Sequence, residues 1–515
     1  MAQAETSVST NDVDQEVRHF DVLVVGAGIS GISAGYYLQA RCPGSSFAIL
    51  DSRDGIGGTW DLFRYPGVRS DSDLYTFGYS FRPWRGDKSI ADGPSILRYI
   101  RDTAEAYGID RRIKFRHRAT QASWSSADAL WNLDVEVGAD RLPARYTCQF
   151  LYLCTGYFDY DAGYMPNWPD MDQFRGPIIH PQLWPEDADY ENRRVIVIGS
   201  GATAVTLVPE MAKTAAHVTL LQRSPTYILS IPGEDAIANW LRRRLPDKLA
   251  HGLSRWKNVL LGLLLYTLAR RLPNFMTKAM LRAAKKQLGP DFDADLHLRP
   301  RYKPWDQRLC LAPDGDLFRA IRTGQVTMVT GEIESFTPTG LRLRSGEQLE
   351  ADVIVSATGL QLRLMGGMQL VVDGTPADPS KALTYKGMMF SDIPNFAGAI
   401  GYTNASWTLK CELTSRYVCR LLNHMQDRGY SWCVPRRRDP TVLEEPAVSL
   451  TSGYIQRALT SLPKQGSKRP WRLHQNYLLD LVALRFGTLD DGTLEFRRSE
   501  RQSCHSPRRK GTENR

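Results

Sequence analysis

At 515 residues the chain is too long for one compact core, so two or three domains are expected, each large enough to enclose a ligand. With 42% hydrophobic and 23% charged residues its composition is that of an ordinary globular protein and excludes overall disorder. The formal net charge of +9 does not mark a nucleic-acid binder: between Arg497 and Arg515 seven Arg or Lys stand against Glu500 and Glu513, so +5 of it lies in a polar tail, expected to be disordered, and the folded body is near neutral.

In chain order, the first eighteen residues are polar and acidic and lack the basic-then-apolar order of a signal peptide. Eight cysteines, at 42, 148, 154, 310, 411, 419, 433 and 504, form no C-x-x-C pair and no cluster with His at metal spacing. They read as thiols in a reducing compartment, with no metal site, and a cytoplasmic location is expected.

His19 to Val25 is a short apolar, β-branched run ending in Gly26-Ala27-Gly28-Ile29-Ser30-Gly31, and a helical pattern follows through Gln39. Strand, glycine turn and helix is the context that a G-x-G-x-x-G dinucleotide loop needs. Gly26 permits the tight turn, Gly28 lets the backbone approach a pyrophosphate, and Gly31 lets helix and sheet pack closely; the helix start near Ser30 offers N–H groups and a positive dipole end to phosphates. A second strand, Phe47 to Leu50, ends at Asp51, twenty residues after Gly31, where a ribose-binding carboxylate belongs.

Two turn-rich blocks follow, Gly57-Gly58-Thr59-Trp60-Asp61-Leu62 and Arg64-Tyr65-Pro66-Gly67-Val68-Arg69-Ser70-Asp71. Leu151 to Gly156 reads as a buried strand opening on a glycine turn, and Val353 to Gly359 has the same shape. Between them lies Phe174-Arg175-Gly176-Pro177-Ile178-Ile179-His180-Pro181-Gln182-Leu183-Trp184-Pro185. The strand–loop–helix unit then repeats: Arg194 to Ile198 leads into Gly199-Ser200-Gly201-Ala202-Thr203-Ala204-Val205, with Ala204 in place of the third glycine. Two nucleotides are therefore expected. After the next strand, His217 to Leu221, no carboxylate stands; Arg223 can form a bidentate pair with a 2′-phosphate and Ser224 can add a hydroxyl, which favours NADPH over NADH.

Residues 232 to 300 break the αβ rhythm with Leu-, Arg-, Lys- and Ala-rich helical stretches, among them an apolar run from Val259 to Ala269 bracketed by Arg255, Lys257, Arg270 and Arg271. Eleven helical residues cover only about 16 Å, too short to span a bilayer, so the run reads as a packed helix or a weak membrane-surface contact. Pro304-Trp305-Asp306-Gln307-Arg308 follows, the αβ rhythm returns from Gln325, and Trp407 begins a helix where it would either wall a pocket or pack in the core.

The pattern F-x-G-x-x-x-H-x-x-x-W-P at 174–185, between two glycine loops, resembles the fingerprint of the Baeyer-Villiger monooxygenases, and the likeness runs from about residue 19 to 497. The resemblance implies an α/β protein with two Rossmann-like dinucleotide-binding domains, for FAD and NADPH, and a helical insertion in the NADPH domain. The implied map is a disordered terminus to 18, FAD domain 19–156, linker and NADPH domain 157–231, insertion 232–300, NADPH domain 301–384, FAD domain again 385–496, and a basic disordered tail from 497. It implies insertion of one oxygen atom of O2 beside a ketone carbonyl, giving an ester or lactone by way of a flavin-bound peroxide, with S-oxidation of sulfides or thioamides.

By the same resemblance Thr59, Trp60, Asp61, Leu62 and Asp71 line the flavin with Gly26, Gly28, Ser30, Gly31 and Asp51. Arg69 and Ser70 join Gly199 to Val205, Arg223 and Ser224 around NADP. Arg308 is the catalytic cation, needed for the negative charge that develops during oxygen transfer, and Asp71 holds its guanidinium. His180 and Trp184 belong to a linker that couples nucleotide binding to domain rotation. Many relatives carry a second cation just before the catalytic arginine, where this chain has Gln307. Two other readings stay open: an N- or S-oxygenating flavin monooxygenase without ketone oxidation, and a flavin-binding scaffold tethered to a membrane through residues 232–300.

Overall fold

The computed structural model of the chain describes residues 17–498. The two segments expected to be disordered fall mostly outside the described residues, but their inner edges are folded. Arg18 pairs with Tyr146, and Leu494–Arg497 pairs antiparallel with Trp432–Pro435, so the ordered body extends further at both ends than expected.

The first body grows from strand β1 (Arg18–Val25), helix α1 (Ile29–Arg41) and strand β2 (Phe47–Leu50). The chain then adds β3 (His117–Ser125), β4 (Leu130–Val137) and β5 (Leu142–Leu153). β1 lies between β2 and β5 with all three parallel, and Val25 is level with Leu50 and Leu153. Val22, Leu23 and Val24 are wholly buried because helices cover one face and the β3–β5 meander the other, which is why this strand reads as an unbroken apolar run.

The second body contains β6 (Arg194–Ile198), α2 (Ala202–Met211) and β7 (His217–Gln222). Among the helices that follow are α3 (Ala236–Arg244), α4 (Asp247–Arg271) and α5 (Pro273–Leu288), and the sheet resumes with β8 (Val326–Thr330) and β9 (Val353–Ser356). The sheet order is β8, β7, β6, β9 and the short strand Ile178–Ile179, all parallel. Thus part of the stretch read as linker is an edge strand of this sheet; two residues are too few to carry a periodicity.

The return to the first sheet comes earlier than the expected position near 385. Strand β10 (Gln369–Val372) already pairs in parallel with β3, Leu370 against Ala122, because the turn at Gly359 leads directly into Leu360–Leu362, which pairs with Phe158–Gly163. Helix α6 (Trp407–Arg428) then packs on α1, and α7 (Tyr477–Arg485) on α6.

Candidate active site

Both glycine loops sit at the carboxyl ends of parallel strands, where an open αβ sheet leaves a crevice. In the first, Gly26 has φ +108°, and a Cβ there would stand 2.4 Å from the Cys154 carbonyl oxygen of the neighbouring strand end. A Cβ on Gly31 would fall 1.8 Å from the Gly26 carbonyl oxygen, so this glycine serves helix packing and not contact with a ligand. Gly28 precedes α1 in extended backbone with no side-chain cap, which leaves the first helical N–H groups for a guest.

Asp51, buried, accepts hydrogen bonds from Ala27 N–H at 2.6 Å and Arg53 N–H at 2.8 Å. Burial raises its pKa while these two N–H groups hold it down, and its carboxylate thereby ties the second strand end to the first loop.

The second loop repeats the geometry. Gly199 has φ +141° with its missing Cβ 2.3 Å from the Ala357 carbonyl oxygen, while a Cβ on Gly201 would meet nothing within 4 Å. Gly201 precedes α2, again without a side-chain cap.

The two loops open on one cavity of about 940 Å³. Its walls include Gly26, Gly28, Ser30, Asp51, Thr59, Trp60, Ser70 and Asp71 from the first body. From the second come Gly199, Ser200, Gly201, Ala202, Thr203, Arg223, Ser224 and Arg308. Two uncapped helix starts, a buried carboxylate on one side and an arginine with a serine on the other are the donors and acceptors that two dinucleotides require.

Several residues expected to touch cofactor do other things. Asp61 is buried beneath its loop, paired with Arg53 at 2.5 Å and Arg101 at 2.9 Å, and with Leu62 it stands outside the cavity wall. Its carboxylate braces the loop, held between these two guanidiniums. Ala204 and Val205 are wholly buried in the core between α2 and its sheet. Arg69 lines the cavity, but its guanidinium is already paired with Asp316 and reaches the Leu311 carbonyl at 3.4 Å.

Arg308 and Asp71 meet at 2.9 Å, each partly exposed to the cavity. The Asp71 carboxylate raises the pKa of Arg308 and outweighs burial, which acts the other way, so the guanidinium stays charged.

Trp407 also lines the cavity. It stacks on Tyr157 with centroids 4.9 Å apart, and its Nε1–H donates to Ser30 Oγ at 3.0 Å, so the returning segment closes over the start of α1. Tyr157, Tyr160, Tyr454 and Arg457 are wall residues that sequence reasoning did not single out. The two former directly follow the turn at Gly156, a usable signal; the two latter belong to the helix Gly453–Ala458, far from any motif.

His180 is outside the cavity wall and beside it. Its Nε2 lies 3.1 Å from the Gly359 carbonyl, Gln182 N–H donates to its Nδ1 at 3.2 Å, and burial lowers its pKa. One hydrogen bond given and one accepted describe a neutral ring, which here joins the fingerprint to the turn where the chain leaves the second sheet. A Cβ on Gly163 would stand 1.9 Å from that ring. Trp184 packs against the second core, edge-on to Tyr190.

A family model described as flavin-binding monooxygenase-like matches residues 89–423, and one described as an NAD(P)-binding Rossmann-like domain matches residues 24–87. The chain is 53% identical over 479 residues to the FAD-containing monooxygenase EthA of Mycobacterium tuberculosis, covering 93% of this chain and 98% of that protein. It is 47% identical over 481 residues to a probable FAD-binding monooxygenase AlmA of Acinetobacter baylyi, covering 93% and 96%. A solved steroid monooxygenase bound to NADP superposes with a TM-score of 0.71 at 21% identity, over 93% of this chain and all of that one; likeness at that identity speaks to the fold.

Proposed function

The chain belongs to the flavin-binding monooxygenase-like family, and from that premise we propose that it is an FAD-containing, NADPH- and O2-dependent monooxygenase that inserts oxygen beside a ketone carbonyl and oxidises sulfides or thioamides in the same cavity. The observation that carries this reading is the charged pair Arg308–Asp71 facing a cavity shared by both nucleotide loops.

In this reading the loop from Gly26 to Ser30, with Asp51, Thr59 and Trp60, holds FAD. Gly199 to Thr203, with Arg223 and Ser224, holds NADPH, the arginine and serine taking the 2′-phosphate. When bound, reduced FAD supplies the activation of O2. Arg308 presents fixed positive charge where negative charge develops on the oxygen being transferred and on the carbonyl oxygen under attack. Asp71 fixes the guanidinium so that no reorganisation is needed at that moment. Trp60, Tyr157 and Trp407 give the cavity apolar walls that accept a ketone and limit water. His180, neutral and bonded to Gly359, couples the fingerprint segment to any movement of the second body.

Purified protein with NADPH and phenylacetone, analysed by mass spectrometry, tests the reading: ester is expected. Peroxide as sole product would overturn it, and oxidation of a sulfide or amine with the ketone untouched would replace it by the N- or S-oxygenating alternative.

A further inference from the structure

The helices α3 to α5 carry a surface that the oxygenation chemistry leaves unexplained. Along α4, Leu249, Leu253, Trp256, Leu260 and Leu264 recur at three- and four-residue intervals, each between 43% and 55% exposed. They form one stripe about 22 Å long. The opposite face, with Ala250, Ser254, Arg255, Val259 and Ala269, is the one buried against the protein. The stripe is therefore surplus to the fold: burying one face satisfies an amphipathic helix, and this helix is apolar on a second.

A separate part of the chain extends the same surface. α7 lies beside α4, Tyr477 against Trp256 with ring centroids 6.0 Å apart, and it exposes Leu479 and Val482, with Phe486 exposed just past its end. Exposed apolar groups from two distant segments, brought together, exceed the scattered exposure that a soluble surface normally shows.

Charge decides what would cover it. From 236 to 288 there are twelve Arg or Lys against a single acidic residue, Asp247, so the folded body is not evenly near neutral. Arg243 and Arg244 precede the stripe, Lys248 stands at its start and Arg271 beyond its end; all four are exposed and make no ion pair among the described residues. A second copy of this face would bring like charge against like, whereas an anionic lipid surface supplies phosphates for the cations and an acyl boundary for the leucines. No helix among the described residues is long and apolar enough to cross a membrane.

We propose that this face docks on an anionic lipid bilayer, the leucine stripe seated at the headgroup–acyl boundary and the flanking cations among the phosphates. α4 is also tied to the catalytic segment, since Tyr266 packs edge-on to Trp305 at 5.4 Å and Arg270 pairs with Asp306 at 2.6 Å. The docked enzyme would thus hold its Arg308 segment close to the source of membrane-dissolved, apolar substrates. The docking does not depend on which atom the enzyme oxygenates.

The test is flotation of the full-length, FAD-loaded protein with vesicles of phosphatidylcholine alone or mixed with phosphatidylglycerol. The protein is expected to float with the mixture and remain behind with phosphatidylcholine. A variant combining Leu253→Gln, Leu260→Gln and Leu264→Gln, and another combining Arg243→Gln, Arg244→Gln and Lys248→Gln, should each lower the lipid-bound fraction roughly tenfold or more. Both should keep FAD and NADPH oxidation, which shows that they fold. A chain ending at Arg498 should float as the full chain does. Wild-type protein that stays unbound, binding lost only with the basic tail, or variants that float like wild type would overturn the proposal. So would a leucine variant whose only change is a dimer become a monomer, which would make the face an interface between copies.

Discussion

Arg308 Nη1 lies 2.9 Å from Asp71 Oδ2, an ion pair between the loop that follows the first nucleotide unit and the segment that follows the inserted helices. Arg308 is thus positioned by a carboxylate of the other body, and its placement depends on how the two meet. Asp71→Asn keeps the shape and removes the charge. Its kcat for ketone oxidation is expected to fall roughly ten- to a hundredfold with KM for NADPH little changed, and Asp71→Glu should recover part of it. Equal loss in kcat/KM for NADPH alone would move Asp71 to a binding role.

Arg223 and Ser224 stand where β7 ends, on the cavity wall beside the second glycine loop. Arg223→Ala removes a charged partner of the 2′-phosphate, and KM for NADPH should rise roughly ten- to a hundredfold. KM for NADH, which lacks that phosphate, should hardly move. Parallel rises for both coenzymes would place the arginine elsewhere in the site.

Gly26→Ala and Gly199→Ala put a methyl within 2.4 Å and 2.3 Å of a neighbouring carbonyl oxygen, each at a positive φ that disfavours a side chain. The loops must shift, at a cost of about 1–3 kcal/mol for the backbone strain alone. Gly26→Ala should purify with reduced flavin content and a lowered Tm, and Gly199→Ala with full flavin and slowed reduction by NADPH. Absorbance of the purified variants and rapid-mixing reduction kinetics check both.

His251, on the buried face of α4, has neither ring nitrogen hydrogen-bonded, and burial, helped by Arg255, lowers its pKa from 6.5 to about 4. The unfolded chain therefore takes up a proton that the fold refuses. Stability is full above about pH 6.5 and declines as pH falls toward 4. Wild type should be less stable at pH 5 than at pH 7.5, with His251 contributing on the order of 2 kcal/mol of that loss. His251→Leu should flatten the dependence, leaving the smaller part due to His180, His297 and His474, whose pKa values burial also lowers. Superimposable pH–Tm curves would show that His251 takes no part.

Much of this was legible in the chain because some physical demands are local. A strand that must turn within a few residues into a helix beside another strand needs glycine at fixed places, and Gly26, Gly31 and Gly199 declare themselves for that reason. The fingerprint segment identified the family but not its own structure: Ile178–Ile179 forms an edge strand through a partner, Ile354–Val355, that no local pattern reveals. Long-range partners were hidden in the same way. That Arg69 is paired with Asp316, and Asp61 with Arg101 as well as with nearby Arg53, follows from the folded packing and took Arg69 and Asp61 out of their simplest roles. The pairing of Arg308 with Asp71 was expected through resemblance, since spacing alone cannot join residues so far apart.

If the Arg308 guanidinium makes oxygen transfer productive, the ester formed per NADPH oxidised by Arg308→Ala with phenylacetone reports it most directly. FAD binding and NADPH oxidation should persist, because both nucleotide loops and Arg223 are untouched, while ester per NADPH falls about a hundredfold or more and the oxygen is recovered as hydrogen peroxide. Ester yield per NADPH equal to that of the wild type would contradict the account.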